Sequence, residues 1–288
     1  MSAATEKGDM PMPSTVSPIS PEVGVTVTGL SGADLGQLAA ADECLRLLER
    51  HGVVIYRQVA ISDADLVTLS RLLGEVVVAP MGALQGHPEV SVISLDPAES
   101  ELAAYRAGTF AWHLDGATDA LPQKATLLTA LRVSDEGGDT EFANTYAAYE
   151  ALSEREKAEI AELRVVHSFA AAQRVIYENP TDKQRAAWDT VPAREHPLVW
   201  KRKDGRRSLL IGATADRVVG LSEQDSRALL DRLLQWATQP RFVVRHHWAP
   251  GDLVVWDNTG MLHRAIPYTV TSHRLMHRTT LVGDEFVS

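Results

Sequence analysis

Residues 251–268, GDLVVWDNTGMLHRAIPY, read as a buried strand, a polar turn at Asp257-Asn258, and a return strand that His263 enters. The first of these strands is apolar throughout, as a strand covered on both faces must be. The second half of the chain repeats the theme. FAWHLD (110–115), KATLLTALRV (124–133), TEFAN (140–144), SLLIGA (208–213), FVVRHHW (242–248) and HRLMHRTTLV (273–282) are β-type runs with turn residues between them. Many short strands, with helices before and among them, indicate an α+β fold: a β-sandwich or jelly roll with helical buttresses.

The helices announce themselves by their caps. ADECLRLLERHG (41–52) is amphipathic and stops at Gly52. Ser62 with Asp65, Ser153 with Glu156 and Ser222 with Asp225 each open a helical run in capping-box spacing. Residues 53–59 and 90–96 read as strands, and order is expected to begin near the alternating run at 23–30. Residues 1–18, rich in Ser, Pro and small side chains, read as disordered, leaving 19–288 as one domain. Residues 171–207 are polar, contain proline and lack sustained periodicity, which reads as an insert or lid.

Totals exclude several functions. The chain has 288 residues, 45% hydrophobic and 23% charged, with a net charge of −10. That acidic balance argues against a nucleic-acid-binding face. The single cysteine, Cys44, rules out an intramolecular disulfide and a thiolate-rich zinc site. Neither a membrane span nor a secretory signal is visible, so a cytoplasmic location is expected.

The chemistry is carried by histidines. In TFAWHLDGATD (109–119), His113 and Asp115 are two apart and would share one face of a strand. Alone, such a pair is more often a surface salt bridge. His263 supplies a candidate third ligand, 148 residues beyond Asp115. Two histidines and a carboxylate on one side of a metal, with the opposite positions open, form the facial triad of non-haem Fe(II) oxygenases. The adjacent pair His246 and His247 competes for the third place, and at most one of them could point inward. Arg274 and Arg278 lie eleven and fifteen residues past His263 and share a strand face with Met276 and Thr280, their Cα atoms roughly 13 Å apart. Arginine grips carboxylates with two parallel hydrogen bonds, so these two are candidate anion receptors.

With WHLD, GGDTEFANTYAAYEALS (137–153), GDLVVWDN (251–258), LHR and HRLMHRTTLVGD (273–284) in place, the chain resembles the TauD/TfdA family of Fe(II)- and 2-oxoglutarate-dependent dioxygenases from about Val23 to Asp284. The resemblance implies a double-stranded β-helix core and His113, Asp115 and His263 as iron ligands. It implies Thr140 and Arg274 as holders of the distal carboxylate of 2-oxoglutarate, and Arg278 as anchor of an anionic group, most simply on the substrate. Fe(II), 2-oxoglutarate and O₂ are the implied cofactor and co-substrates, with succinate and CO₂ as products.

Departures from the family pattern bear on the substrate. Gly116, Ala117 and Thr118 follow the aspartate where taurine-type members carry bulk, so Gly116 and Thr118 are expected to leave a roomier substrate pocket. Ala172 and Gln173 replace an aromatic, and WDNR becomes WDNT at Thr259. The expected partner is a small organic anion, an aryloxyalkanoate-like carboxylate ahead of a sulfonate or sulfate ester. A homo-oligomer, dimer or tetramer, is also expected. Rival readings are a catalytically silent metal-binding jelly-roll sensor and a metal-dependent hydrolase. A sensor would have no need of Thr140 and Arg274.

Overall fold

The computed structural model describes residues 14–79 and 81–287, so the first thirteen residues of the expected disordered segment lie outside it. The end of that segment is ordered: Thr15–Pro18 is an edge strand, antiparallel to Val25–Thr28. All four of its residues are exposed, so no apolar alternation marks it in the sequence. Pro18 suits an edge, where a missing N–H costs no ladder bond.

Among the described residues the largest sheet has the strand order Thr15–Pro18, Val25–Thr28, Val53–Tyr56, Leu253–Asp257, Ala125–Arg132, Leu275–Thr280, His87–Ile93, Ala83–Leu84. Val25–Thr28 runs parallel to Val53–Tyr56, and the other pairs are antiparallel. A smaller sheet has Thr140–Asn144 between Val243–His246 and Met261–Ala265. The side-chain period of two explains the apolar runs of the central strands. Val54, Tyr56, Leu253 and Val255 pack under the helices Leu38–His51 and Asp63–Leu73. Val53, Ile55, Val254 and Trp256 turn the other way, toward Phe142, Val244 and Met261 of the smaller sheet. The two sheets therefore enclose a core between them.

The helices start and stop at their caps. Ser62, Ser153 and Ser222 each accept a hydrogen bond from the backbone N–H three residues on. Gly52 ends its helix at φ 70°, a left-handed turn that glycine adopts without the Cβ penalty.

Two segments differ from expectation. FAWHLD is not a strand: a 3₁₀ segment, Ala103–Phe110, leads into it, and only His113 pairs, with His263. The Thr109 hydroxyl donates to the Arg106 carbonyl at 2.7 Å, which keeps the chain turning before the pair. Gly116, at φ 77°, turns it away just after. The 171–207 segment is not irregular either. It contributes to the helix Phe169–Ile176, forms the helix Asp182–Trp188, and supplies the strands Arg194–Pro197 and Val199–Lys201 and the start of Arg207–Leu209. Leu198 and Trp200 are fully buried in the core beside Leu209. Elements this short leave no periodic signature.

Candidate metal and anion site

The bridge between His113 and His263 sets the geometry of the site. Their backbones exchange hydrogen bonds of 3.0 and 2.9 Å, and the two rings lie 4.2 Å apart between centroids. Asp115 follows at once, with its carboxylate oxygens 3.8 Å from Nε2 of His113 and 3.8 Å from Nε2 of His263. One ligand atom from each of the three lies within 4.8 Å of the others, and no other such trio occurs among the described residues.

The ring tautomers follow from their partners. A carbonyl can only accept, so Nδ1–H of His113 donates to Ala111 (2.9 Å), leaving Nε2 on the Asp115 side as the atom available to a metal. His263 has the same arrangement more loosely, its Nδ1 3.5 Å from the Met261 carbonyl. Burial and the neighbouring His113 push His263 down to about 3, so it is a neutral donor at pH 7. Burial opposes ionisation of Asp115, but His263, Arg278, His113 and the Thr126 hydroxyl outweigh it and bring the carboxyl to about 2. Two imidazoles and an ionised carboxylate, without thiolate, suit a borderline-hard divalent ion such as Fe(II).

The Asp115 carboxylate is held from behind. Thr126 donates to its Oδ2 at 3.3 Å and itself accepts from the Asn258 amide at 2.8 Å. Asn258 belongs to the WDN turn, whose role the sequence left open. Thr126 was invisible in the sequence, being one threonine within an apolar strand. Arg278 reaches the same Oδ2 at 3.5 Å.

A cavity of about 60 Å³ opens beside the trio, with Arg106, His113, Thr140, His263, Arg274 and Arg278 in its lining. Thr140 accepts from the Trp248 indole at 3.0 Å, which leaves its hydroxyl proton free to donate. Arg274 is 4% exposed, stacks 4.9 Å over the Tyr268 ring and has a buried Nε without a partner. Gly138 makes room for it: a Cβ there would meet the Arg274 side chain at 3.0 Å. Arg106 lies on no recognisable motif, and sequence reasoning missed it.

Other expected residues sit elsewhere. Gly116 and Thr118 are not in the cavity lining. A Cβ on Gly116 would meet the Gln123 backbone at 2.7 Å, so the glycine serves the turn, and Ala117 is in the core. Thr259 lies under Tyr146, 2.6 Å from its hydroxyl, also outside the lining. His246 is buried against Asp252 at 3.2 Å, His247 is exposed beside Asp139, and His277 faces the helices, 2.6 Å from Asp63. Neither His246 nor His247 joins the trio.

His167 and His196 come together, 5.8 Å between ring centroids, and no carboxylate among the described residues completes a set with them. Burial, with His196 adding repulsion, takes His167 from the ordinary 6.5 down to about 3. The unfolded chain therefore binds a proton between those values that the folded chain refuses. This contribution to stability is complete above pH 6.5 and is lost as pH falls through the window, by about 1.4 kcal/mol per unit. His167→Gln should flatten the decline in urea-unfolding free energy between pH 6.5 and 5 by that slope. An unchanged slope would assign the decline to other groups.

Comparison with known proteins agrees with this geometry. Residues 15–280 match the family model described as Taurine catabolism dioxygenase TauD, TfdA family. An (S)-phenoxypropionate/alpha-ketoglutarate-dioxygenase of Sphingobium herbicidovorans is 30% identical over 276 residues, covering 93% of this chain and 95% of that protein. An alkylsulfatase of Acinetobacter baylyi is 34% identical over 247 residues, covering 83% and 75%. The crystal structure of AAD-2 in complex with Mn(II) and N-oxalylglycine is similar at a TM-score of 0.80 and 27% identity, covering 96% of this chain and all (100%) of that one.

Proposed function

The chain belongs to the taurine catabolism dioxygenase TauD, TfdA family, and from that premise we propose that it hydroxylates a small organic anion, first of all an aryloxyalkanoate-like carboxylate. It is an oxidoreductase that depends on Fe(II), 2-oxoglutarate and O₂. In this reading His113, Asp115 and His263 hold the iron, Thr140 and Arg274 the far carboxylate of 2-oxoglutarate, and Arg278 an acidic group of the substrate. The observation that carries it is a single cavity lined by His113 and His263 of the trio together with Thr140, Arg274 and Arg278.

The bound metal centre supplies the oxidation: 2-oxoglutarate and O₂ become succinate and CO₂, with the second oxygen atom entering a substrate C–H bond. The protein supplies placement. Ala111 and Met261 fix the imidazoles, Thr126 and Asn258 fix Asp115, and the Trp256 ring, 4.9 Å from His263, walls the site on an apolar side. In the same reading the two sheets are the walls of a double-stranded β-helix, in one domain that takes in the edge strand Thr15–Pro18 ahead of residue 19. The helix Phe169–Ile176 is then part of a lid. Phe169 packs 6.5 Å from Tyr105, and Tyr177 donates to the Ala104 carbonyl at 3.3 Å, on the 3₁₀ segment that borders the cavity.

The alkylsulfatase relative favours a second reading, the same chemistry on an alkyl sulfate, whose anion an arginine binds equally well. Kinetics on 2-phenoxypropionate, hexyl sulfate and taurine, scored by succinate coupled to product, separate the possibilities. Ile93 and Leu128 give the cavity apolar wall, and each buried CH₂ contributes at most about 0.8 kcal/mol. The phenoxy acid should therefore exceed taurine in kcat/KM by roughly a hundredfold or more. Taurine as the best of the three would overturn the substrate class, and hexyl sulfate as the best would establish the second reading.

A further inference from the structure

Arg106 sits on the cavity rim with far less support than its position demands. It is partly buried in the 3₁₀ segment Ala103–Phe110, and its Nε is buried without a hydrogen-bond partner. Its Nη2 donates to the Val92 carbonyl at 3.1 Å. No carboxylate among the described residues pairs with it at salt-bridge distance. Burial, with repulsion from Arg278, presses its pKa down to about 10, while Asp115 and Tyr268 lend only partial relief. A cation held in that way is costly until an anion arrives.

The other two arginines of the cavity are partly engaged, each keeping a buried Nε without a partner. Arg278 leans on Asp115 at 3.5 Å, and Arg274 stacks on Tyr268 as the proposed receptor for the far end of 2-oxoglutarate. Three guanidinium groups and Fe(II) against Asp115 and a doubly charged 2-oxoglutarate leave formal positive charge in the cavity. Ile93 and Leu128 line the same cavity as Arg106.

We propose that Arg106 grips the acidic group of the primary substrate, sharing it with the unpaired Nε edge of Arg278, and so sets the preference for an acid over its neutral analogue. This rests on the reading of the site as an organic-anion dioxygenase. The proposal makes Arg106 a specificity-determining residue that contributes nothing to holding 2-oxoglutarate.

The test is calorimetric binding of 2-phenoxypropionate, 2-phenoxypropionamide and hexyl sulfate to the anaerobic Fe(II)–2-oxoglutarate protein, as wild type, Arg106→Gln and Arg106→Lys. The glutamine variant should bind either anion ten- to a few hundredfold more weakly. It should bind the amide within about twofold of wild type, keep its 2-oxoglutarate affinity, and lose acid-over-amide preference in kcat/KM. The lysine variant should recover part of the loss. Equal weakening of acid and amide would make Arg106 a structural tether to Val92 and overturn the inference. So would weakened 2-oxoglutarate binding with anion binding intact. Wild-type protein that binds 2-oxoglutarate but neither anion would overturn the substrate reading itself, and the inference with it. Should the glutamine variant fail to fold, anion affinity in the lysine variant equal to wild type would refute the proposal, because a point charge cannot replace a fork.

Discussion

Replacing Asp115 or His263 by alanine should reduce succinate formation by roughly a thousandfold or more, since even residues behind metal ligands are worth ten to a hundredfold. Asp115 stands 3.8 Å from both Nε2 atoms, so its loss leaves two imidazoles and no negative charge to hold a divalent ion. It also leaves Arg278 without its carboxylate partner. Asp115→Asn keeps the volume and removes the charge, and should lose Mn(II) binding nearly as completely. Thr126→Val, which removes only the hydroxyl that steadies Asp115, should weaken Mn(II) binding by about ten to a hundredfold. Calorimetric Mn(II) titration and thermal melts of the same variants check this independently of turnover. Near-normal Mn(II) affinity in His263→Ala would place the third ligand elsewhere.

How much of this was readable depends on whether the signal is local. The caps at Ser62, Ser153 and Ser222 are local, and so are the αL stop at Gly52 and the alternation through Leu275–Thr280. Each appears in the structure where the residues place it. The alternation even sorts His277 toward Asp63 and Arg278 toward the cavity. The strand Thr15–Pro18 has no buried face and therefore no pattern. The pieces between 171 and 207 are shorter than the window in which periodicity can be recognised, so Trp200 reads as part of an insert although it is fully buried in the core.

In the candidate site, the grouping of His113, Asp115 and His263 was legible because metal-ligand chemistry would restrict the residue types and one of the spacings. Thr126 and Arg106 were not. Their places come from tertiary approach, one strand position opposite Asp115 and one 3₁₀ turn beside Arg278, and any threonine or arginine in the chain carries the same local signature. Gly116 shows the reverse error. Its small size invites a reading as open pocket, yet the space it vacates is filled by the Gln123 backbone, and its positive φ is what the turn requires.

Arg274→Ala should raise the Kd and KM for 2-oxoglutarate about tenfold to a few hundredfold, with a much smaller change in the KM of the primary substrate. Arg274 is buried, its Nε has no partner, and it approaches no carboxylate among the described residues within salt-bridge distance. Its hydrogen bond to Tyr268 is a long 3.5 Å, and burial lowers its pKa. Beside it, Thr140 accepts from Trp248 and keeps its hydroxyl proton free to donate onward, as a receptor for a carboxylate must. A charge buried on those terms destabilises the empty protein and is offset when the anion binds. The variant should thus melt no lower than wild type without 2-oxoglutarate, and should lose most of the upward shift in Tm that millimolar 2-oxoglutarate gives wild type in the presence of Mn(II). Thr140→Val should show the same pattern more weakly, because it removes one neutral donor and not a charge. If Arg274→Ala kept the full 2-oxoglutarate shift while Arg278→Ala abolished it, the two arginines would exchange roles, and the substrate acid would fall to Arg106 and Arg274.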